Sequence, residues 1–301
     1  MKLFSCDHCG HALYFENIRC EHCGHGLGYV PDADALVSLE PDRGAWRAPH
    51  LPGRAFVFCA NAEHGACNWL LDDGDAEGPL CRACRHNEIV PPTDAANLRR
   101  WQVIERAKKR LFYSLLRLSL PLATRAQDPV HGLGFRFLSE ALAPQPVLTG
   151  HSGGTITIAL AEADDAERES RRTQLGEPYR TLLGHFRHEI GHHYWDILVA
   201  EGPRLDAFRG LFGDERADYD TALRKHYAQG PPPDWQGRYV TGYAASHPWE
   251  DFAETWAHYL HIVDTTEMAA AFGIALNPPS DARGELTARI AFDPYRLEAI
   301  E

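Results

Sequence analysis

The sequence contains one short pattern that could hold a hydrolytic metal ion, His188-Glu189-Ile190-Gly191-His192. Two histidines four residues apart lie on one face of a helix, so both imidazoles can reach a single Zn2+. Glu189 is offset by about 100° around the helix and can lean over the open side of the metal. Zinc lowers the pKa of a bound water towards ~7, and a nearby carboxylate can then accept its proton. The pattern therefore predicts Glu189 as the general base of a zinc-dependent hydrolysis.

The third zinc ligand must come from elsewhere in the chain. A histidine six residues after His192 is excluded, because that position is Leu198. The stretch 247–254 offers two glutamates one helical turn apart, Glu250 and Glu254. We favour Glu250, because it lies in the first turn of the predicted helix, and we expect Glu254 to orient a ligand histidine. Four residues stay open as alternative ligands, namely Glu254, Asp214, Glu215 and His258.

All eight cysteines lie in the first third of the chain, in two groups of four. The first group is Cys6, Cys9, Cys20 and Cys23, and the second is Cys59, Cys67, Cys81 and Cys84. Four thiolates suit tetrahedral Zn2+, and two Cys-x2-Cys pairs a hairpin apart are typical of a zinc ribbon. We therefore predict two structural zinc sites, with no cysteine left for disulfides or catalysis. For the second group, the alternatives are two buried thiols with a lone Cys-x2-Cys pair, or a redox pair.

Composition along the chain predicts two domains. Residues 1–92 are expected to form the zinc-ribbon module, since a block of this size has a small core that two metals would stabilise. Residues 93–301 are expected to form the second domain, beginning with a basic connecting helix over 93–126. Residues 96–126 contain eight basic residues and one acidic residue. These cations are either the solvated face of a packing helix or a clasp for acidic groups, including those of the protein itself.

Apolar spacing predicts the elements that position the metal-binding pattern. Short strands are expected at 134–137 and 155–158. A long helix at roughly 179–200 carries the pattern, and further helices are expected over 214–227 and 249–262. The strand at 155–158 is a candidate edge for pairing with an extended peptide, and it could equally be internal.

Several segments resemble a known family. They are Phe186-Arg187-His188-Glu189-Ile190-Gly191-His192 with Tyr194-Trp195-Asp196, then Phe212–Arg216, Tyr239-Val240 and His247–His258. They resemble the bacterial zinc-binding metallopeptidases that carry an N-terminal zinc ribbon, and the resemblance spans nearly the whole chain. It implies an α+β fold, in which a double zinc-ribbon module precedes a mainly helical, zincin-like (gluzincin-like) metallopeptidase domain with a small antiparallel sheet.

The segment 250–254 is also similar to the glutamate-ligand helix of lethal-factor-like metallopeptidases. In that family the first glutamate binds zinc, and a tyrosine seven residues upstream assists catalysis. The matching positions are Glu250 and Tyr243. The resemblance implies a catalytic Zn2+ held by His188, His192 and Glu250. Tyr243, with Tyr239 as the alternative, would donate a hydrogen bond to the oxyanion.

The net charge of the chain limits the classes of partner that it is expected to bind. The net charge is −12, and residues 1–90 alone carry seven basic and thirteen acidic residues, a net charge of −6. Zinc ribbons that bind nucleic acid need a basic face, so this acidity disfavours nucleic acid and favours a structural or protein-contacting module. No apolar run approaches the ~18 residues needed to cross a bilayer, so we expect no membrane partner.

The combined expectation is a zinc metallopeptidase acting on a peptide or protein substrate. The N-terminus shows no secretion signal, and the thiols needed for metal favour the reducing cytoplasm. The competing hypothesis is a catalytically inactive or regulatory zincin scaffold that binds a protein partner through its ribbons. The presence of Glu189 favours the enzyme, because a purely structural metal needs no base there.

Overall fold

The computed structural model describes residues 1–140, 147, 149–175, 181–276, 279–280 and 288–289. The chain forms two compact units. We call the first the ribbon unit, and it comprises Met1–Arg85, Trp101–Leu120 and the described part of Ile262–Glu301. The second, the helical unit, comprises the described parts of His86–Arg100 and Pro121–His261.

The sheets of the ribbon unit are antiparallel. Its strands are β1 (Phe4–Ser5), β2 (Ala12–Leu13), β3 (Gly26–Val30), β4 (Ala35–Asp42), β5 (Ala45–Arg47), β6 (Ala55–Phe58) and β7 (Leu70–Asp72). The pair β1–β2 is a separate hairpin, and β3 to β7 form one sheet in chain order. Buried apolar residues in and next to this sheet pack together, namely Val30, Val37, Leu39, Ala48, Phe56 and Leu70.

Helix α1 (Ala95–Arg117) follows β8 (Asn87–Ile89). Its first turn is capped by Asp94, whose carboxylate accepts a hydrogen bond from the backbone nitrogen of Asn97 at 3.1 Å. The solvated-face interpretation of this basic helix is wrong for Lys108 and Lys109, which are 0% and 3% exposed. Arg110 instead pairs with Glu16 at 2.5 Å, so part of the basic surface contacts the protein's own acidic groups.

The helical unit contains one four-stranded sheet in the order β10-β11-β9-β8. The three strands besides β8 are β9 (Gly134–Leu138), β10 (Gly150–Ser152) and β11 (Thr155–Ala159). The hairpin β10–β11 is antiparallel, whereas β9 pairs in parallel with both β11 and β8. Parallel pairs need long connections, and the connection from β8 to β9 contains α1. The sheet is therefore more mixed in direction than the small antiparallel sheet that was expected.

Strand β11 lies between β9 and β10. The hypothesis that the strand at 155–158 offers a free edge to a peptide is therefore wrong. Among the described residues, the outer strand beside β11 is β10, which is too short to give an alternating pattern in the sequence. The sheet and helices together confirm the predicted α+β class.

The remaining helices are α2 (Asp165–Leu175), α3 (Leu182–Trp195), α4 (Leu205–Phe212), α5 (Tyr219–Gln229) and α6 (Pro248–Ala271). Helix α3 begins where the Thr181 hydroxyl accepts a hydrogen bond from the Gly184 nitrogen at 3.0 Å, and a π-helical turn, Asp196–Ala200, follows it. The residues at 176–180, at the start of the predicted long helix, lie outside the described part. Among the described helices, none combines the length and apolar character needed to cross a membrane.

A final antiparallel pair, β12 (Ala275–Leu276) and β13 (Ala288–Arg289), belongs to the ribbon unit. The predicted domain boundaries, 1–92 and 93–301, stay a prediction.

Candidate metal centres

The first cysteine group forms a compact cluster of sulfur atoms. The Sγ atoms of Cys6, Cys9, Cys20 and Cys23 all lie within 4.8 Å of one another. The distances Cys6–Cys23 and Cys9–Cys20 are each 3.7 Å. Sulfurs about 2.3 Å from a tetrahedral zinc lie about 3.8 Å apart, so the cluster has the spacing that zinc requires.

Two matching turns build this cluster. The Gly10 nitrogen donates to the Cys6 carbonyl at 2.7 Å, and the Gly24 nitrogen donates to the Cys20 carbonyl at 2.8 Å. Both glycines have positive φ, 75° and 79°, a conformation that residues with a Cβ rarely adopt. The repeated glycine after each Cys-x2-Cys pair thus lets the backbone fold back behind the two thiols.

The second cysteine group also converges. The Sγ atoms of Cys59, Cys67, Cys81 and Cys84 lie within 4.8 Å of one another. Cys67 and Cys81 are 3.7 Å apart, and the backbone nitrogens of Trp69 and Cys81 each lie 3.4 Å from a cluster sulfur. All eight cysteines are free thiols. This convergence of four sulfurs fits a tetrahedral metal better than a redox pair with two separate thiols.

A third cluster joins α3 to α6. Nε2 of His188 lies 3.2 Å from Nε2 of His192, and Oε2 of Glu250 lies 3.0 Å and 3.5 Å from these two nitrogens. Ligands about 2.0–2.1 Å from a tetrahedral zinc are separated by about 3.3 Å. The three side chains predicted as ligands are thus brought together at the spacing zinc requires.

A close approach of two helices makes this convergence possible. A Cβ atom on Gly191 would lie 3.0 Å from the Cα atom of Ala253 and 3.3 Å from the Cβ atom of Trp256. Glycine at this position therefore lets α3 lie almost directly against the backbone of α6. Trp249 packs on the ring of His192 with centroids 3.8 Å apart, which fixes the orientation of that imidazole.

The four alternative ligands occupy other places. Oε1 of Glu254 lies 2.6 Å from Nδ1 of His188, the nitrogen opposite the cluster, and the Thr241 hydroxyl donates to Oε2 of Glu254 at 2.8 Å. Asp214 pairs with Arg216, and Glu215 pairs with Arg209. Nδ1 of His258 lies 2.8 Å from the Glu254 carbonyl.

Glu189 is buried beside the third cluster. The backbone nitrogen of His151 on β10 faces its carboxylate, and burial raises the pKa of Glu189. Burial also disfavours the charged form of Glu250, but hydrogen bonds with His188 and His192 outweigh it and hold the pKa of Glu250 well below its usual range. The two carboxyl groups therefore differ in basicity, and Glu189 is the better proton acceptor.

Two tyrosine side chains, those of Tyr219 and Tyr243, lie near Glu250. Tyr219 donates a hydrogen bond to Oε1 of Glu250. Tyr243 lies beside Tyr219, and burial raises the pKa of both hydroxyl groups. The ring of Tyr243 lies 6.0 Å from that of His188, whereas Tyr239 stacks with Arg238.

Comparison with known proteins gives the family. Residues 97–301 match a family described as "Putative zinc-binding metallo-peptidase", and residues 3–95 match a zinc-ribbon domain. The chain belongs to this zinc-binding metallopeptidase family. The resemblance inferred from the sequence is thereby confirmed, with the zinc ribbon preceding the metallopeptidase domain.

Relatives of this metallopeptidase-family chain occur in mycobacteria. Uncharacterised proteins of Mycobacterium bovis and of two strains of Mycobacterium tuberculosis are each 46% identical to it over 277 residues. The alignments cover 91% of this chain and 77% of each relative. No solved structure shows a significant match.

Tyr219 and His151 lie beside the third cluster of this family member. The sequence patterns did not predict a role for either residue. Tyr219 follows Asp218, whose side chain caps α5 by accepting from the Thr221 nitrogen at 2.8 Å. That capping pattern predicts a helix start, but it does not link Tyr219 to a glutamate in another helix. His151 contributes through its backbone N–H, which any residue type except proline could supply. Neither residue leaves a signal in the spacing of residue types.

Proposed function

We propose that the chain is a zinc-dependent peptidase of the gluzincin type, with its catalytic metal held by His188, His192 and Glu250. The observation that supports this most strongly is the spacing of the three ligand atoms, 3.0 to 3.5 Å, with the buried Glu189 beside them. A zinc ion in such a site supplies a Lewis acid for the peptide carbonyl and an activated water.

Residues of the protein transfer the proton and orient the metal ligands. Glu189 takes a proton from the attacking water and delivers it to the leaving amine, a role that its raised pKa supports. Glu254 fixes the ring of His188, and Tyr219 fixes Glu250 by binding the oxygen that points away from the histidines. These contacts thus orient His188 and Glu250 before any substrate binds.

Tyr243 is the proposed donor to the oxyanion. Its hydroxyl lies beside that of Tyr219, and it carries one hydrogen that can be donated to a single acceptor. We propose that this hydrogen points to the carbonyl oxygen of the substrate as negative charge develops there.

The substrate is proposed to be a peptide or protein segment in extended form, pairing with the edge of β10. Ser152 and Thr155 flank the two-residue turn of the β10–β11 hairpin, so the backbone groups of His151 point away from β11. The His151 nitrogen accordingly faces Glu189. A peptide lying along this edge would pass directly over the proposed base.

The eight free thiols support two structural zinc sites and a reducing compartment, and we propose that the protein works in the cytoplasm. The ribbon unit then provides stability, and its acidic surface is proposed to contact protein partners. If the protein is instead an inactive scaffold, it should bind the same metal ions but hydrolyse no peptide.

Metal content measured beside peptide cleavage tests the proposal. The wild-type chain should hold three zinc ions, one for each cluster, and His188→Ala should hold two. Glu189→Gln should keep three zinc ions and the wild-type circular dichroism, but cleave a peptide library at least about 100-fold more slowly. Equal cleavage by Glu189→Gln would overturn the mechanism, and a library left intact by the zinc-loaded wild type would favour the scaffold.

A further inference from the structure

Helix α1 brings two buried lysines to one carboxylate. Lys108 and Lys109 are 0% and 3% exposed, and their ammonium nitrogens each lie 2.9 Å from an oxygen of Glu105. Charged side chains are almost never buried this completely unless they are paired. Glu105 is shared between two ammonium groups. The buried ammonium group of Lys109 therefore needs a second hydrogen-bond acceptor.

That second acceptor is a cysteine sulfur. Nζ of Lys109 lies 3.0 Å from Sγ of Cys84, and it also lies 5.8 Å from the centre of the Trp69 ring. An ammonium group has three N–H donors, and a sulfur accepts strongly only when it carries negative charge. The contact therefore fits a thiolate at Cys84 better than a neutral thiol.

The second cysteine group supplies such charge when it holds zinc. Four thiolates and one Zn2+ carry a net charge of −2, and Cys59, Cys81 and Cys84 are buried. In a buried site of low dielectric constant, a cation in contact with one sulfur stabilises this negative charge far more than it would in water. Hydrogen bonds to ligand atoms also tune the affinity of a metal site.

We propose that Lys109 is a positioning residue of the second zinc site. Its ammonium group donates an N–H···S hydrogen bond to the Cys84 thiolate, compensates part of the negative charge and slows the loss of zinc. Glu105 holds the ammonium group in place. Helix α1, which contains none of the cysteines, thereby becomes part of the metal site.

The first cysteine group gives an internal comparison, because Cys9 and Cys23 are only partly buried there. Water can reach these two sulfurs and take over part of the charge compensation. A chelator should therefore remove metal from the first site in a fast phase and from the second site in a slow phase. Lys109 should affect the slow phase alone.

The test uses the full-length chain loaded with Co2+, whose thiolate charge-transfer band reports electron density on the sulfurs. Lys109→Met should shift this band to longer wavelength and speed the slow release phase by about tenfold. Lys108→Met is the matched control, because it removes a buried ammonium group from the same Glu105. It should leave the band in place, and Lys109→Arg should restore the wild-type band. An unchanged band and slow phase in Lys109→Met, or an equal shift in Lys108→Met, would overturn the proposal.

A measurement on the wild-type chain covers the case in which Lys109→Met does not fold. With cadmium-113 in place of zinc, one lysine ammonium resonance should be protected from exchange with water and should couple to the metal through the N–H···S bond. Lysine ammonium spectra that show no coupling to cadmium would contradict the assignment.

Discussion

Nδ1 of His188 donates a hydrogen bond to Oε1 of Glu254 at 2.6 Å. The other nitrogen of the same ring, Nε2, faces Oε2 of Glu250 at 3.0 Å. Two glutamates one turn apart on α6 thus lie on opposite sides of a single imidazole. The arrangement assigns them different roles, with Glu250 beside the other proposed ligand and Glu254 behind the ring.

Removing each carboxylate in turn should separate these roles. We expect Glu250→Gln to lower the zinc content from three ions to two, because it removes a charged ligand. Glu254→Gln should keep three ions in excess zinc but weaken the third by about 10- to 100-fold, since only the support of His188 is lost. Competition titration with a chelator measures both. If Glu250→Gln kept the third ion and Glu254→Gln lost it, Glu254 would be the ligand and Glu250 the residue that supports His188.

Gly191 should be needed for the approach of α3 to α6. In Gly191→Ala the new methyl group meets the Ala253 backbone at 3.0 Å, and overpacking of this kind lowers the free energy of unfolding by about 1–3 kcal/mol. Zinc affinity should fall as well, because Glu250 moves with α6. Urea unfolding and zinc titration measure the two effects.

Gly210 provides the control for this substitution. It lies in α4, and a Cβ atom there would meet nothing within 4 Å. Gly210→Ala should raise the free energy of unfolding by about 0.5–1 kcal/mol, because alanine favours helix over glycine. Loss of stability of equal size in both variants would show that close packing at Gly191 is not the cause.

The two tyrosine hydroxyls should be separable by kinetics. Tyr243→Phe should keep the zinc ion and lower kcat by about 100- to 1000-fold, as loss of an oxyanion donor does. Tyr219→Phe should instead weaken zinc binding, because it leaves Oε1 of Glu250 without the hydroxyl that holds it. Peptide cleavage in excess zinc, measured beside metal affinity, distinguishes the two. Identical effects of both variants would argue against distinct roles.

Removal of metal should unfold the strands of the ribbon unit. The two cysteine clusters close turns between strands of a small unit, so their zinc contributes directly to its folding free energy. After complete chelation, we expect hydrogen exchange to lose protection across residues 1–85, and reloading with zinc should restore it. Full protection of β3 to β7 in the metal-free chain would mean that their apolar core suffices.

The sequence by itself determined the chemistry that residue types and short spacings encode. Cys-x2-Cys pairs followed by glycine fix a turn within a few residues, and histidines four apart share one helical face, whatever the rest of the chain does. The α+β class and the family could be inferred on that basis. The choice of Glu250 over Glu254 also came from sequence, and it depended on a helix start that proline and flanking residues mark.

The tertiary structure decided which distant groups meet. The hydrogen bond from Tyr219 to Glu250 and the contact between Lys109 and Cys84 each join segments far apart in the chain. The place of β10 at the edge of its sheet follows from the pairing of β11 with β9. The sequence pattern left two places open for Lys109, the solvated face of a packing helix or a clasp for acidic groups, and it did not predict a contact with a cysteine. The burial of Lys109 follows from how α1 packs against Trp69 and Cys84 of the ribbon unit. Packing of this kind depends on the shapes of many side chains at once, and no local spacing records it.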